Sequence, residues 1–224
     1  MSRGFFITGT DTDVGKTSIA LGLMYALQQQ GMRVAAMKPV SAGCELTAEG
    51  LRNEDARLLL QQSSMPLPYE RVNPYAFEPA IAPHIAAAES GIEMQLAPLV
   101  EAYKSIAAQA DVVIVEGAGG WLVPLNERQT LADFAGELHL PVIIIVGMRL
   151  GCLNHALLTE QAIKARGLKP AGWVANQLCA VMPYFEDNLA YLQSHLEAPL
   201  LGIVPHQQQT REAIAGCLNL NAIL

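Results

Sequence analysis

The stretch Phe5-Phe6-Ile7-Thr8-Gly9-Thr10-Asp11-Thr12-Asp13-Val14-Gly15-Lys16-Thr17 constrains this chain more than any other. Its first residues are apolar and read as a short buried strand. A polar, glycine-bounded turn follows. Gly15-Lys16-Thr17 then opens a helical pattern through Ala20, Leu21, Leu23, Met24 and Leu27. Strand, loop and helix in that order are the setting of a nucleoside triphosphate site. Consecutive N–H groups of such a loop turn inward and bind phosphate oxygens. Gly15 lets the backbone come close. Lys16 offers a point charge to the terminal phosphates, and the Thr17 hydroxyl suits a magnesium ion. The competing reading is an ordinary turn into a helix, capped by Thr12 or Asp13. The agreement of strand, loop, Gly-Lys-Thr and amphipathic helix favours the phosphate site.

The spacing departs from the usual G-x-x-x-x-G-K-[ST]. That pattern puts its first glycine where Thr10 stands, and Gly9 falls one residue early. Either Thr10 takes that glycine's place or the loop is one residue longer.

Short runs rich in Val and Ile cover residues 4–8, 34–37, 112–115, 142–146, 172–175 and 200–204. They lack alternation, which is how strands covered on both faces of a parallel sheet read. Helical patterns separate them, over 16–30, 53–62, 83–90, 96–109, 131–138, 152–166 and 183–196. The alternation predicts an α/β fold with a mostly parallel sheet, as one domain over residues 1–224. The segment 65–83, with Pro66, Pro68, Pro74, Pro79 and Pro83, reads as a long surface excursion.

In such sheets ligands bind at the carboxyl ends of the strands, and polar or glycine-rich segments sit there in this sequence. Lys38-Pro39-Val40-Ser41-Ala42-Gly43 follows the second strand, so Lys38 would emerge beside Lys16 and make a site for more than one anion. Glu116-Gly117-Ala118-Gly119-Gly120 follows the third, and a carboxylate there suits a hard cation. Asp55 lies in a first helical turn, where an acid also serves the helix dipole. Asp13 lies inside the phosphate loop and can orient an amine or act as a local cap. Gly151-Cys152-Leu153-Asn154 opens a helix whose free N–H groups can hold a carboxylate. Asn176 can read a base through its amide. A guanine reader of the N-K-x-D type needs lysine and aspartate where Gln177 and Cys179 stand, which disfavours GTP.

Composition narrows the classes. Hydrophobic residues make up 51% and charged residues 16%, which suits a well-buried core, and the net charge of -7 argues against nucleic acid. Cys44, Cys152, Cys179 and Cys217 form no C-x-x-C pair, so neither a zinc site nor a disulfide framework is expected and a reduced cytosol is the simplest home. The N-terminus does not read as a secretory signal. The longest apolar run, 141–147, is too short to span a bilayer. His84, His139, His155, His195 and His206 show no metal-ligand spacing, and Trp121 and Trp173 read as core or pocket wall. No Ser-His-Asp order or nucleophile elbow is present.

Taken together, Gly9 to Thr17, Lys38-Pro39-Val40, Glu116-Gly117-Ala118-Gly119-Gly120, Gly151-Cys152-Leu153-Asn154-His155 and Gly172-Trp173-Val174-Ala175-Asn176 resemble dethiobiotin synthetase. That family's phosphate loop has the longer spacing seen here. The likeness covers nearly the whole chain and is weakest after about Gln177. It implies a P-loop NTPase-like sheet and an ATP-dependent, magnesium-requiring cyclo-ligase of biotin synthesis. Such an enzyme closes a ureido ring on 7,8-diaminononanoate with carbon dioxide, through a carbamate and a carbamic-phosphoric anhydride. Carried over, Lys16 and Lys38 are catalytic. ATP is held by Asp13, Val14, Gly15, Lys16, Thr17, Ser18, Asp55, Glu116, Gly117, Ala118, Gly119, Asn176, Gln177, Pro205, His206, Gln207 and Glu212. Thr17, Asp55 and Glu116 hold magnesium. Thr12, Ser41 and the Gly151, Cys152, Leu153, Asn154 helix start serve the substrate. The resemblance also implies a cytoplasmic homodimer with the site near the subunit interface, where that helix start meets the neighbour's substrate carboxylate.

One position departs from the family's K-P-V-x-[ST]-G pattern: Ala42 stands where a hydroxyl is usual, and Ser41 or a water would replace it. Two other classes share the phosphate loop. One is a related amide-forming enzyme with another substrate. The other is a nucleotide-switched ATPase that positions partner proteins, against which Lys38 and the Gly151 anion site both count.

Overall fold

A computed structural model describes residues 2–207 and 210–224 of the chain. Its centre is a parallel six-stranded sheet. The strands are β1 (Arg3–Gly9), β2 (Val34–Met37), β7 (Val112–Glu116), β8 (Val142–Met148), β9 (Pro170–Gln177) and β10 (Leu200–Val204). Their order across the sheet is β10-β9-β8-β1-β7-β2. β1 thus lies between β7, at Phe5↔Ile114, and β8, at Ile7↔Ile143. The chain leaves β1 for one edge at β2, returns through β7, and then builds outward through β8, β9 and β10 on the other side. The carboxyl end of β1 is therefore central, which is where a ligand crevice forms in such sheets.

The absence of alternation in the strands has its expected cause. Phe6, Val113, Val115, Ile144 and Val146 face one apolar layer. Phe5, Ile7, Val112, Ile114, Ile143 and Ile145 face the other. The second layer is closed by α1 (Lys16–Gln29), α2 (Glu54–Gln62) and α9 (Arg211–Gly216), through Ile19, Leu23, Leu27, Leu59 and Ile214. The first is closed by α4 (Pro83–Glu89), α5 (Leu96–Ala107), α6 (Leu131–Glu137), α7 (Cys152–Ala165) and α8 (Phe185–His195).

The expected strands and helices form within a few residues of their predicted bounds. Five shorter pieces lie outside the predicted set. They are β3 (Val40–Ser41), the hairpin β4 (Glu45–Thr47) with β5 (Gly50–Arg52), α3 (Tyr69–Val72) and β6 (Tyr75–Ala76). α9 is a sixth: only six residues long, it is capped by the Thr210 hydroxyl and buries Ile214 against α1. The segment 65–83 is corrected most. Leu67, Tyr69, Val72, Asn73 and Phe77 are all buried in it, and β6 pairs in parallel with β3. The segment folds inward over the end of β2, where Val72 O accepts from Lys38 N at 2.7 Å, instead of running across the surface.

Candidate active site

The phosphate loop begins where β1 ends. A Cβ on Gly9 would lie 2.6 Å from Val14 Cγ2 and 2.8 Å from the Asp11 carbonyl, so the loop folds back over this residue and only glycine fits. Gly9 is therefore the loop's first glycine, and the loop is the longer form. Thr10 is instead tied to β8: its N–H donates to Ile145 O at 3.0 Å and its hydroxyl accepts from Gly147 N at 3.3 Å. Asp13 and Gly15 both take positive φ, 56° and 87°. The helix starts directly from Gly15, and among the described residues no side chain caps its first N–H groups, the arrangement that receives an anion. Thr12 and Asp13 are exposed, Val14 is buried, and Thr17 and Ser18 are half-buried.

Four side chains from four segments then converge. The Thr17 hydroxyl, in the first turn of α1, donates to Glu116 Oε1 at 2.8 Å. Lys38, just past β2, donates to the same oxygen at 2.5 Å and to Asp55 Oδ2 at 3.1 Å. Asp55 sits in the first turn of α2, whose N-cap Asn53 accepts from Ala56 N. Glu116 is fully buried at the end of β7, and its Oε2 accepts no hydrogen bond among the described residues. Lys16 is buried nearby and donates to the Asp11 carbonyl at 3.0 Å.

The two lysines differ electrically. Burial disfavours the charge on Lys38, but Glu116 and Asp55 outweigh it and raise its pKa above the ordinary lysine value. Burial and the neighbouring charge of Lys38 lower that of Lys16. A buried lysine without its own carboxylate is what added phosphate charge would satisfy.

The donor set suits a hard divalent cation. Thr17, Asp55 and Glu116 present oxygens only, and the Glu116 Oε2 lone pairs are buried and unused. The two carboxylates also hold the Lys38 ammonium, so a cation bound there would share them with Lys38.

Asn176, at the end of β9, donates from Nδ2 to Val14 O at 2.8 Å. It lies so close to Gly15 that a Cβ there would come within 2.2 Å of Nδ2. The amide thus props the phosphate loop, a role the sequence reading did not give it. Gln177 is half-buried beside it. Pro205, His206 and Gln207 are exposed after β10, and the Glu212 carboxylate accepts from Arg211 at 2.8 Å. Gly117 is buried under Phe6, while Ala118 and Gly119 are half-buried, with Gly119 close to Thr12.

Gly151 takes φ 94° and starts α7 without a side-chain cap; Cys152 is buried, Leu153 half-buried and Asn154 exposed. This start is joined to the phosphate loop by an ion pair between Arg149 and Asp11, which the sequence reading missed although Arg149 directly follows a buried strand. Ser41, expected to face the substrate in place of Ala42, is instead 2% exposed and donates to Asn73 Oδ1 at 2.7 Å. Its direction is set by β3, which turns it away from solvent and into the folded 65–83 segment.

A family model described as an AAA domain matches residues 3–213. The ATP-dependent dethiobiotin synthetase BioD of Pseudomonas aeruginosa is 54% identical over 221 residues, covering 98% of this chain and 97% of the relative. The chain belongs to the dethiobiotin synthetase family. Family members of the same name from Cellvibrio japonicus and Aeromonas hydrophila are 51% and 48% identical, covering 99% and 100% of this chain and 98% and 100% of theirs. More distant solved structures share the fold alone. The septum site-determining protein MinD of Pyrococcus horikoshii, complexed with Mg-ADP, is 18% identical with a TM-score of 0.53, covering 100% of this chain and 89% of its own. A ParA family ATPase of Chlorobium tepidum is 14% identical with a TM-score of 0.57, covering 96% and 91%. This chain thus shares its parallel sheet fold with these two proteins.

Proposed function

We propose that this chain, acting as a single domain, is an ATP- and magnesium-dependent cyclo-ligase. It closes the ureido ring of dethiobiotin on 7,8-diaminononanoate with carbon dioxide, a step of biotin biosynthesis in the cytoplasm. The observation that carries this reading is the buried Lys38 ammonium, fixed by Glu116 and Asp55 beside a phosphate loop. Nucleotide binding alone does not require a second buried cation. A carbamate that must meet a γ-phosphoryl group does.

In this mechanism one amine of the substrate takes up carbon dioxide as a carbamate. Lys38 orients that anion against the terminal phosphate and neutralises charge as the phosphoryl group transfers. Lys16, the N–H groups of Asp13, Val14, Gly15 and Ser18, and the Gly117, Ala118 and Gly119 turn hold the triphosphate. The second amine then attacks the mixed anhydride and releases phosphate. The chain's work is positioning and charge stabilisation. Thr17, Asp55 and Glu116 would hold the magnesium ion, which when bound neutralises phosphate charge. Asn176 and Gln177, with Pro205, His206, Gln207 and Glu212, would contact adenine. Thr12 would face the substrate.

The active unit in this reading is a homodimer. Leu122, Leu150, Val181 and Tyr184 are 56%, 100%, 78% and 78% exposed. All four follow the carboxyl ends of β7, β8 and β9, the edge of the sheet that carries the site. Large exposed apolar side chains in the loops on that edge support a protein contact there. The uncapped start at Gly151, Cys152, Leu153 and Asn154 would then meet the substrate carboxylate of the neighbouring subunit.

The test is phosphate release by the purified protein with magnesium and ATP, with and without diaminononanoate and bicarbonate. Strict dependence on the diamine, with dethiobiotin formed, is the expected result. Release indifferent to the diamine would overturn the reading.

A further inference from the structure

Behind Lys38 lies a buried polar hub. Asn73 is 3% exposed, and its amide makes four hydrogen bonds. Nδ2 donates to the Lys38 carbonyl at 2.7 Å and to Tyr75 O at 3.3 Å. Oδ1 accepts from the Ser41 hydroxyl at 2.7 Å and the Tyr69 hydroxyl at 3.0 Å. That is the full capacity of a carboxamide. The N–H of Lys38 is taken as well, donating to Val72 O at 2.7 Å. Consecutive residues 72 and 73 therefore grip Lys38 by both of its main-chain groups.

A second arm runs the other way. The Tyr69 hydroxyl accepts from Asn53 N at 2.7 Å. Asn53 caps α2 through Ala56 N at 3.2 Å, and two residues into that helix stands Asp55, whose carboxylate holds Lys38 Nζ at 3.1 Å. The bonds close a ring: Lys38 Nζ, Asp55, the α2 start, Tyr69, Asn73, and back to the Lys38 carbonyl. A hub needed only to fill the core would be apolar, since a partly satisfied polar network costs more than it gives. This one is fully satisfied, and both its arms end on residues that carry the charges of the site.

We infer that Asn73 and Tyr69 are positioning residues, which fix Lys38 and Asp55 relative to each other and aim the ammonium at the transferring group. The inference rests on the cyclo-ligase reading above. Neither residue touches substrate; both act through Lys38 and Asp55. Misplacing a catalytic group by about 1 Å can cost on the order of 100-fold in rate.

Tyr69→Phe is the sharpest variant, because it keeps the ring, which packs under the Arg52 guanidinium at 4.2 Å, and removes only the hydroxyl. It is measured beside wild type and beside Leu67→Ala, an apolar truncation in the same buried segment. The readouts are kcat, the KM and calorimetric Kd for ATP, and the thermal midpoint. The expected result for Tyr69→Phe is a kcat lower by about 10-fold or more, with ATP affinity held within about twofold. Leu67→Ala should lower the midpoint at least as far and leave kcat within about twofold of wild type. An unchanged kcat in Tyr69→Phe, or an equal loss of kcat in Leu67→Ala at the same midpoint, overturns the inference. A wild type that forms no dethiobiotin overturns the cyclo-ligase reading instead, so the two failures are told apart.

Discussion

Nζ of Lys38 lies 2.5 Å from Oε1 of Glu116, and the two side chains are only 5% and 0% exposed. Removing one partner of such a pair leaves the other charge buried and uncompensated, which typically costs about 3–5 kcal/mol. Lys38→Ala should therefore lose stability on that scale, and turnover should fall at least about 100-fold while ATP binding largely persists. Adding Glu116→Gln to Lys38→Ala should recover much of the stability and none of the turnover. Denaturant unfolding of the single and double variants checks the first part. A double variant no more stable than Lys38→Ala would show that Glu116 is not the charge Lys38 compensates.

The two site lysines predict opposite responses to alkali. The pKa of Lys16 is depressed in the fold by burial and by Lys38. The unfolded chain thus binds more protons there, and stability rises as pH climbs through the folded value. The pKa of Lys38 is raised, since Glu116 and Asp55 outweigh burial. Its contribution is complete below the ordinary lysine pKa of about 10.4 and is lost only as pH rises through the folded value above that. Between about pH 7 and pH 9.5, wild type should gain stability relative to Lys16→Met, and its margin over Lys38→Met should widen if it changes at all, because that variant also removes the Lys38 charge that depresses Lys16. Urea unfolding at the two pH values measures both gaps. A shrinking margin over Lys16→Met would reverse the sign assigned to that lysine.

How much of this was legible beforehand depends on whether a residue's role is local. The strands and major helices follow from apolar runs and 3.6-residue periodicity, and Lys38, Glu116 and Asn176 stand out because each directly follows a buried strand. The early Gly9 was ambiguous, because the clash that demands glycine comes from Val14 and Asp11 once the loop has folded over it. The 65–83 segment was misread because five prolines carry no periodic signal, and its burial depends on β3 and on Asn73 reaching Lys38 across 35 residues. The burial of the Ser41 hydroxyl was illegible for the same reason: its partner, Asn73, lies 32 residues away. The hairpin pairs a largely exposed β4 with a half-buried β5, each three residues long with a single leucine, so its apolar pattern was too weak to read.

Gly15 and Asn176 should behave as one unit. An alanine at Gly15 must hold φ near 87° with its Cβ 2.2 Å from Asn176 Nδ2. The backbone strain alone is worth about 1–3 kcal/mol. Gly15→Ala should lose at least that much stability and bind ATP weakly. Asn176→Ala removes both the clash partner and the donor to Val14, so it should weaken ATP binding more than it slows chemistry, with saturating ATP restoring most of the rate. The double variant should be less impaired than the sum of the two. Strict additivity in ATP affinity would mean that the amide does not support the loop.

Leu150 is fully exposed, one residue before the Gly151 turn that starts α7. A lone exposed leucine needs no explanation, but this one shares the active edge of the sheet with Leu122, Val181 and Tyr184. If that edge is the subunit contact, a buried unpaired charge there should split the dimer, because such a charge in an interface costs several kcal/mol, of order 2–5. Leu150→Asp is therefore expected to sediment as a monomer with an unchanged thermal midpoint at low protein concentration, since the side chain is fully exposed among the described residues. Its KM for the diamine should rise far more than its KM for ATP, because the α7 start would no longer reach the neighbouring site while the phosphate loop is untouched. Sedimentation equilibrium together with the two KM values decides the matter. A Leu150→Asp protein that stays dimeric with a normal diamine KM would place the interface elsewhere.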